Sequence, residues 1–174
     1  MIHKNAALTV ADVMRTDVKT VRSTMTLPEL EAELLRAHVS GCPVVDDNQL
    51  VGVVSRSDIV RQLCAEREVA EVTSDFHFDE RNFYEIEMAS LKDIADRVGE
   101  RIESLCVKDV MVTNPFTARI DQPIADVAKR LVDHEIHRMP VTDKGILVGI
   151  ITTTDLVRMI ADERLVDARR HIRD

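Results

Sequence analysis

Four polar side chains at matching positions are the residues of this sequence best suited to chemistry. Ser55 lies three residues before Asp58, and Thr152 lies three residues before Asp155. A hydroxyl at this distance from a carboxylate, ahead of an apolar run, is the pattern of a capping box, which satisfies free N–H groups at a helix start. The same groups can also hydrogen-bond a polar ligand. The pattern alone leaves both roles open and favours capping.

A second candidate feature is cationic and occurs once. His137-Arg138 precedes a Met-Pro pair, whereas Ser40-Gly41 precedes the matching Cys-Pro pair. An arginine offers a planar positive fork to phosphate, and histidine offers a further donor. We therefore predict that an anion binds more strongly where Arg138 stands. The alternative is a solvated Arg138 beside a partly buried His137. Arg56, inside the first polar element, could add charge to either site.

The common enzyme motifs are missing from the sequence. Its six histidines form no H-E-x-x-H element, and its five glycines form neither a P-loop nor G-x-G-x-x-G. His134 and His137 lie on one helical face and could form half of a metal site, but a structural or interfacial role is favoured. We therefore expect no catalytic activity and no metal or other required cofactor.

These residues belong to an internal repeat. Residues 12–63 match residues 109–160 without gaps at an offset of 97, with 16 identities in 52 positions. A match of this length predicts two copies of one supersecondary unit. Each copy predicts a short extended stretch, an amphipathic helix, two strands joined by a turn, and a last helix that begins near Arg56 or Thr153.

Neither copy is large enough to bury its own sheet comfortably. We therefore expect a mixed α/β (α+β) fold of two pseudo-symmetric repeats, each a small sheet with helices, packed together as an intramolecular pair. The predicted boundaries are 1–63 for the first repeat, 64–106 for a connector, 107–160 for the second repeat and 161–174 for a helical extension.

The repeat resembles the CBS domain, the module named after cystathionine β-synthase, and the tandem pair resembles a Bateman module. Four segments carry the resemblance in each copy: Asp-Val-Met, then Pro-Val-Val-Asp or Pro-Val-Thr-Asp, then Leu-Val-Gly followed by two β-branched residues, then Ser/Thr-x-x-Asp. They occur in the same order twice, at constant spacing. The resemblance covers about 104 residues and leaves the connector and both ends unexplained.

The resemblance implies a regulatory module that binds an adenosine-containing molecule such as AMP, ADP, ATP or S-adenosylmethionine. It implies that Ser55, Asp58, Thr152 and Asp155 reach ribose and phosphate, since a carboxylate can accept hydrogen bonds from both ribose hydroxyls. It also places main-chain groups of two segments beside the base. These segments are Val18, Lys19 and Thr20 in the first copy, and Pro115, Phe116 and Thr117 in the second.

The connector is acidic and carries most of the aromatic residues. Residues 64–106 contain 12 acidic and 5 basic side chains, and Phe76, Phe78, Phe83 and Tyr84 lie there. Leu91, Ile94, Val98, Ile102 and Leu105 mark one face of a helix that begins near Ala89. We expect this helix and the aromatic residues to cover the module or a dimer mate. Docking of an effector protein is the alternative.

Composition limits the partners. A formal net charge of −8 and an aromatic content of 3% disfavour nucleic-acid binding, including a DNA-linked regulator. No apolar run is long enough to span a membrane, and the N-terminal residues lack a secretory signal. Three cysteines without a C-x-x-C pair predict reduced thiols and a cytoplasmic location.

The function expected from the sequence is that of a sensor. An adenine nucleotide would bind in a cleft between the repeats, and occupancy would change the packing of repeats, connector or dimer. Tandem modules of this family commonly form homodimers, so we expect one here. The alternative is an oligomerisation or protein-interaction module that binds no ligand, in which the four polar residues only cap helices.

Overall fold

The computed structural model describes residues 8–75, 91–162 and 164. The elements follow the order expected for a duplicated unit with a helical connector. They are a 3-10 helix Val10–Asp12, α1 Leu27–Arg36, β1 Gly41–Asp46, β2 Gln49–Ser55, α2 Arg56–Asp75, α3 Leu91–Ser104, α4 Val107–Val110, β3 Val112–Thr113, β4 Ala118–Arg119, α5 Ile124–Asp133, β5 Arg138–Asp143, β6 Ile146–Thr152 and α6 Thr153–Ala161.

The chain forms two compact units that we name after their polar elements. Of the described residues, those within Lys19–Asp46 and Val51–Thr113 form the Ser55 unit, and those within Met1–Val18, Asp47–Leu50 and Asn114–Asp174 form the Thr152 unit. Each unit therefore contains most of one repeat together with the segment that precedes the other repeat. We call residues 9–15 and 106–112 the lead-in segments. The compact units group residues by packing and not by repeat, so they do not test the boundaries predicted from the repeat. Those boundaries stay predictions.

The Ser55 unit packs helices on the strands of the first repeat. Val112 on β3 pairs with Val53 on β2 in an antiparallel ladder, and Val21 pairs with Val44 on β1. Val107, from the second lead-in segment, is fully buried in the core of this unit. The remaining core residues are Val21, Leu27, Leu30, Leu34, Cys42, Val44, Val54 and Ile59.

The Thr152 unit repeats this arrangement with the first lead-in segment. Strand β5 pairs antiparallel with β6 and parallel with β4, and Arg15 forms an antiparallel bridge with Ile150 on β6. Val10 is fully buried, and its N–H donates to the Gln122 carbonyl oxygen at 3.0 Å. The other core residues are Ala118, Ile124, Val127, Leu131, Met139, Val141 and Ile151.

Local sequence explains where the elements begin and turn. Thr26 accepts a hydrogen bond from the Glu29 N–H while the Glu29 carboxylate accepts from the Thr26 N–H, so a capping box starts α1. Asp47 and Asn48 both have positive φ, as the tight turn between β1 and β2 requires. Lys144 and Gly145 have the same backbone signs between β5 and β6.

The predicted mixed α+β fold with two repeats is confirmed. Helices α2 and α6 begin at Arg56 and Thr153 as predicted, and the connector helix runs from Leu91 to Ser104. The two short lead-in helices and the exchange of lead-in segments between repeats were not predicted. The four connector aromatic residues and residues 165–174 of the predicted helical extension lie outside the described residues.

Candidate functional site

The Thr152 element closes into a capping box at the start of α6. Asp155 Oδ2 accepts hydrogen bonds from the Thr152 N–H at 2.9 Å and from its hydroxyl at 2.6 Å. The Asp155 N–H in turn donates to Thr152 Oγ1 at 3.3 Å. Asp155 is 4% exposed, which is rare for a carboxylate unless it is paired. Capping is therefore one role of this element.

The Ser55 element repeats the two hydrogen bonds that the aspartate accepts. Asp58 Oδ2 accepts from the Ser55 N–H at 2.8 Å and from its hydroxyl at 2.7 Å. Asp58 Oδ1 also accepts from Arg61 Nη1 at 2.8 Å, one helical turn along α2. Both aspartates thus accept from the N–H and the hydroxyl three residues earlier, and the two sites differ further in the residues around them.

Arg15 is the residue of this site that the sequence analysis did not predict. Its Nε lies 3.0 Å from Asp155 Oδ1, and its Nη2 lies 3.3 Å from Asp155 Oδ2 and 3.4 Å from Thr152 Oγ1. The first lead-in segment thus delivers a cation to the polar element of the second repeat. One sequence signal could have found it, since Arg15 aligns with Val112 and is a charged residue where the other copy has an apolar one.

Two glycines allow the lead-in segments to lie against the strands. A Cβ at Gly149 would lie 2.7 Å from Met14 Sδ and 2.9 Å from the Arg15 carbonyl oxygen. A Cβ at Gly52 would lie 2.8 Å from Met111 Sδ and 2.9 Å from the Val112 carbonyl oxygen. All four distances are shorter than ordinary contacts of a Cβ atom, so each glycine is needed for the close approach of its lead-in segment.

Arg138 belongs to the same site as Thr152 and Asp155. It pairs with Thr152 across the antiparallel β5–β6 ladder, and residues directly opposite each other in such a ladder point to the same face. The matching Gly41 lies beside Ser55, where a Cβ would be 2.9 Å from the Ser55 Cβ. His137 is exposed, and its carbonyl oxygen accepts from the Thr153 N–H at 3.0 Å. Arg138 thus lies on the same face as Thr152, and an anion site at this place stays a prediction.

The second predicted base-flanking segment packs against α5. The Phe116 ring stacks on the His134 ring with 4.2 Å between centroids, and the Arg130 guanidinium lies 5.6 Å from the Phe116 centroid. Arg130 also donates to the Thr117 carbonyl oxygen at 2.9 Å. Pro115 is half-buried. These contacts attach the segment to α5, the helix that follows it, and leave Phe116 47% exposed.

The first predicted base-flanking segment, Val18 to Thr20, makes its contact through an ion pair. Lys19 pairs with Glu33 on α1, and Arg36 pairs with the same carboxylate. The hydrogen bond from Lys19, and after it the one from Arg36, hold the pKa of Glu33 below its usual range. Val18 is half-buried and Thr20 is exposed. Lys19 and Glu33 align with Phe116 and Arg130, so the two repeats make the same contact with different chemistry.

Arg56, between Ser55 and Asp58 in sequence, lines a cavity among the helices. It lines a cavity of about 240 Å³ in the Ser55 unit, formed by residues of α1, α2 and α3. The other lining residues are Leu27, Pro28, Glu31, Ile59, Val60, Leu63 and Ile102. The cavity is mostly apolar, with Glu31 as its acidic residue. Arg56 therefore lines this cavity, and its contribution of charge to either predicted site stays a prediction.

The described part of the connector is attached to the Ser55 unit. Arg101 Nε on α3 lies 3.2 Å from Glu66 Oε2 on α2, and Gln62 donates to Glu66 Oε1 at 2.8 Å. Among the described residues, no group of three or more histidine, cysteine or carboxylate side chains could hold a metal ion. The described helices are also too short or too polar to cross a membrane.

Comparison with known proteins gives a family and several relatives. A family model described as the CBS domain matches residues 10–65 and 107–162. The uncharacterized protein MJ1426 of Methanocaldococcus jannaschii is 32% identical over 126 residues, which are 70% of this chain and 73% of that protein. The uncharacterized protein MJ1225 of the same organism is 26% identical over 155 residues. That match spans 88% of this chain but only 43% of the relative.

A solved structure agrees in fold over most of the chain. CBSX2 of Arabidopsis thaliana, in a crystal structure in complex with AMP, superimposes with a TM-score of 0.65 at 25% identity. The match covers 90% of this chain and 98% of that one. The similarity therefore includes both repeats.

Proposed function

The chain belongs to the CBS domain family, and from this premise we propose that it is a regulatory module that binds an adenine nucleotide at the Thr152 site. AMP, ADP or ATP is the regulatory ligand, and no further cofactor is required. The module has no catalysis of its own. A cytoplasmic location, predicted from the cysteine pattern, is part of the same proposal.

The observation that carries the proposal is the gathering of two cations and a carboxylate in one unit. Asp155 can accept from ribose hydroxyls, and Arg15 and Arg138 can bind phosphate. At the matching places beside Ser55 and Asp58 stand Val112 and Gly41, neither of which offers a charged group. We therefore propose that the Thr152 site binds the phosphate more strongly than the Ser55 site.

The relative with a bound nucleotide supports the ligand class. CBSX2 is 25% identical to this chain, and its structure contains AMP. The chemistry of the Thr152 site matches such a ligand, because a nucleotide combines a diol with a phosphate anion. Regulation requires that the nucleotide bind two states of the protein with different affinity. We propose that contacts of the first lead-in segment, which supplies Arg15, change on binding.

Thermal unfolding with AMP, ADP and ATP tests the proposal. A ligand at about 100 times its dissociation constant should stabilise the protein by about 2.7 kcal/mol. For a chain of this size that raises the Tm by about 5–10 °C. We expect Asp155→Asn to reduce this increase strongly, because the amide has one acceptor oxygen where the carboxylate has two. Asp58→Asn, the same change in the other repeat, is the matched control.

The possible results separate binding from capping. A nucleotide-dependent rise in Tm that Asp155→Asn reduces and Asp58→Asn leaves in place supports a sensor with its ligand at the Thr152 site. Cooperative unfolding that none of the three nucleotides alters, measured up to millimolar concentration, contradicts the proposal. The Tm of each variant without ligand measures the contribution of the cap separately.

A second role, self-association, is favoured by apolar side chains that are exposed at equivalent positions of both repeats. Three positions are apolar and exposed in both copies, at the end of α1 or α5 and along α2 or α6. They are Leu35 and Val132, Val60 and Val157, and Leu63 and Ile160. Val60 and Leu63 lie three residues apart on one face of α2, as Val157 and Ile160 do on α6, and grouped apolar exposure marks an interface more often than scattered single residues do. We propose that these residues form a homodimer interface, while docking of an effector on residues 64–106 remains a prediction.

A further inference from the structure

Arg15 reaches Asp155 from a fixed backbone. Its N–H donates to the Ile150 carbonyl oxygen at 2.9 Å, and the Ile150 N–H donates to the Arg15 carbonyl oxygen at 2.9 Å. The side chain is 52% exposed, whereas the Asp155 side chain is 3% exposed. The guanidinium thus has one face in solvent and lies on the carboxylate that it helps to bury.

The other repeat provides an internal comparison for this position. Val112 pairs with Val53 on β2, and Arg15 pairs with Ile150 on β6. The repeat offset of 97 residues relates Arg15 to Val112 and Val53 to Ile150. Arg15 and Val112 are therefore equivalent in sequence and in strand register. The fold accepts a valine at this place, so the contact between a lead-in segment and its strand does not require an arginine.

Arg15 occupies acceptor positions that a ribose would need. The described residues place three donors on Asp155 Oδ2, namely the Thr152 N–H, the Thr152 hydroxyl and Arg15 Nη2. Arg15 Nε lies on Oδ1, and Arg158 Nη1 is 3.7 Å from the same oxygen. A carboxylate offers about four lone-pair positions. A ribose diol can therefore bind Asp155 only when the guanidinium moves away.

The cost of moving the guanidinium depends on the ligand. An uncharged nucleoside offers no anion in exchange for the Asp155 carboxylate, so the ion pair is lost without replacement. A phosphate offers a planar guanidinium a second anion with which it can form two parallel hydrogen bonds. Arg138, on the same face as Thr152, adds a second cation for that phosphate.

We propose that Arg15 makes the Thr152 site select adenosine compounds that carry a phosphate and reject those that do not. This inference rests on the proposed function, because it assigns ligand selection at the same site. The guanidinium acts as a gate that closes on Asp155 in the free protein and turns to the phosphate in the complex. The equivalent Val112 gives the Ser55 site no such gate.

Isothermal titration calorimetry with AMP and with adenosine tests the gate, because these two probes differ only in the phosphate. The quantity of interest is the ratio of the adenosine Kd to the AMP Kd at one fixed salt concentration. We expect Arg15→Val to lower this ratio about tenfold, by weakening AMP binding and strengthening adenosine binding. Arg119→Val removes a positive charge from an exposed ion pair with Asp121 in the same unit and is the control. It should leave the ratio unchanged.

Each outcome bears on a specific claim. If the full chain binds AMP and Arg15→Val retains the original ratio, the gate is overturned and the proposed function stands. If the full chain binds neither probe, the gate fails, and the proposed function fails with it when ADP and ATP also leave the Tm unchanged. Arg15→Lys retains the charge but loses the fork, so an intermediate ratio supports the gate even if Arg15→Val unfolds. A Lys variant with the original ratio overturns it.

Discussion

At the scale of single residues, the two repeats make one equivalent contact with different kinds of interaction. Lys19 meets Glu33 as an ion pair, whereas the aligned Phe116 meets Arg130 through the ring face. Both contacts attach an extended segment to the following helix. The difference explains why residue types at these places give little information about ligand contacts when they are read from the sequence. The main-chain groups of both segments remain predicted contacts with the base.

The first prediction at this scale concerns Arg138. We expect Arg138→Ala to weaken AMP binding about tenfold, because a charge-assisted hydrogen bond to phosphate contributes about 1.5–3 kcal/mol in favourable cases. Adenosine binding should change much less. Calorimetric titration of both ligands measures the two effects. Equal weakening of AMP and adenosine would show that Arg138 supports the fold of the site and does not bind phosphate.

The second prediction concerns Asp46 and pH. The hydroxyl and the N–H of Ser23 hydrogen-bond the Asp46 carboxylate and hold its pKa below the usual value of 3.8. Because the pKa is lower in the folded state, Asp46 stabilises the fold above pH 4 and this contribution is lost as the pH falls through the folded-state pKa. Asp46→Asn should therefore make stability less dependent on pH between 2 and 5.

Urea unfolding at pH 2.5, 4 and 6 measures this dependence. The aligned exchange Asp143→Asn is the matched control. A pH dependence that is the same in Asp46→Asn and in the unchanged chain would contradict the assignment to Ser23 and Asp46.

At the scale of elements, the lead-in segments depend on glycine. We expect Gly149→Ala to lower the free energy of unfolding by about 1–3 kcal/mol, since its Cβ would clash with Met14 and the Arg15 main chain. Thermal and urea unfolding measure the loss. Gly99→Ala is the control, because its Cβ would meet no described atom within 4 Å and alanine is the better helix residue. Equal stability of the two variants would contradict the close approach.

Most elements were predictable because the internal repeat shows the sequence pattern of each element twice. The strands before and after each turn and the starts of α2 and α6 follow from the period of apolar residues and from turn residues. The four residues Val107–Val110 of α4 were not predictable, since one helical turn has no period to detect. Thr152, Asp155 and Arg138 were predicted from sequence as ligand-binding residues; they lie near one another at the end of β6, and their contacts with a ligand stay predictions. Arg15 was not, because its contact with Asp155 joins residues 140 positions apart.

At the scale of the whole molecule, the exposed apolar residues predict self-association. We expect a homodimer that the double variant Val60→Glu and Val157→Glu converts to monomers, because charges in an apolar interface lose hydration without gaining partners. Light scattering after size-exclusion chromatography measures the mass. Lys129→Glu, an exposed charge reversal on α5 outside the repeated apolar set, is the control. A monomeric unchanged chain at micromolar concentration would contradict the prediction.

The exchange of lead-in segments has a consequence for how the chain folds as it is synthesised. Val10 completes a core whose other members begin at Ala118, so more than a hundred residues must leave the ribosome before the Thr152 unit can close. At about 5–20 residues per second this takes roughly 5–20 s. During that interval Val10 and its neighbours have no native partner from their own unit. A nascent chain that stalls between the repeats therefore carries an apolar segment that chaperones can recognise.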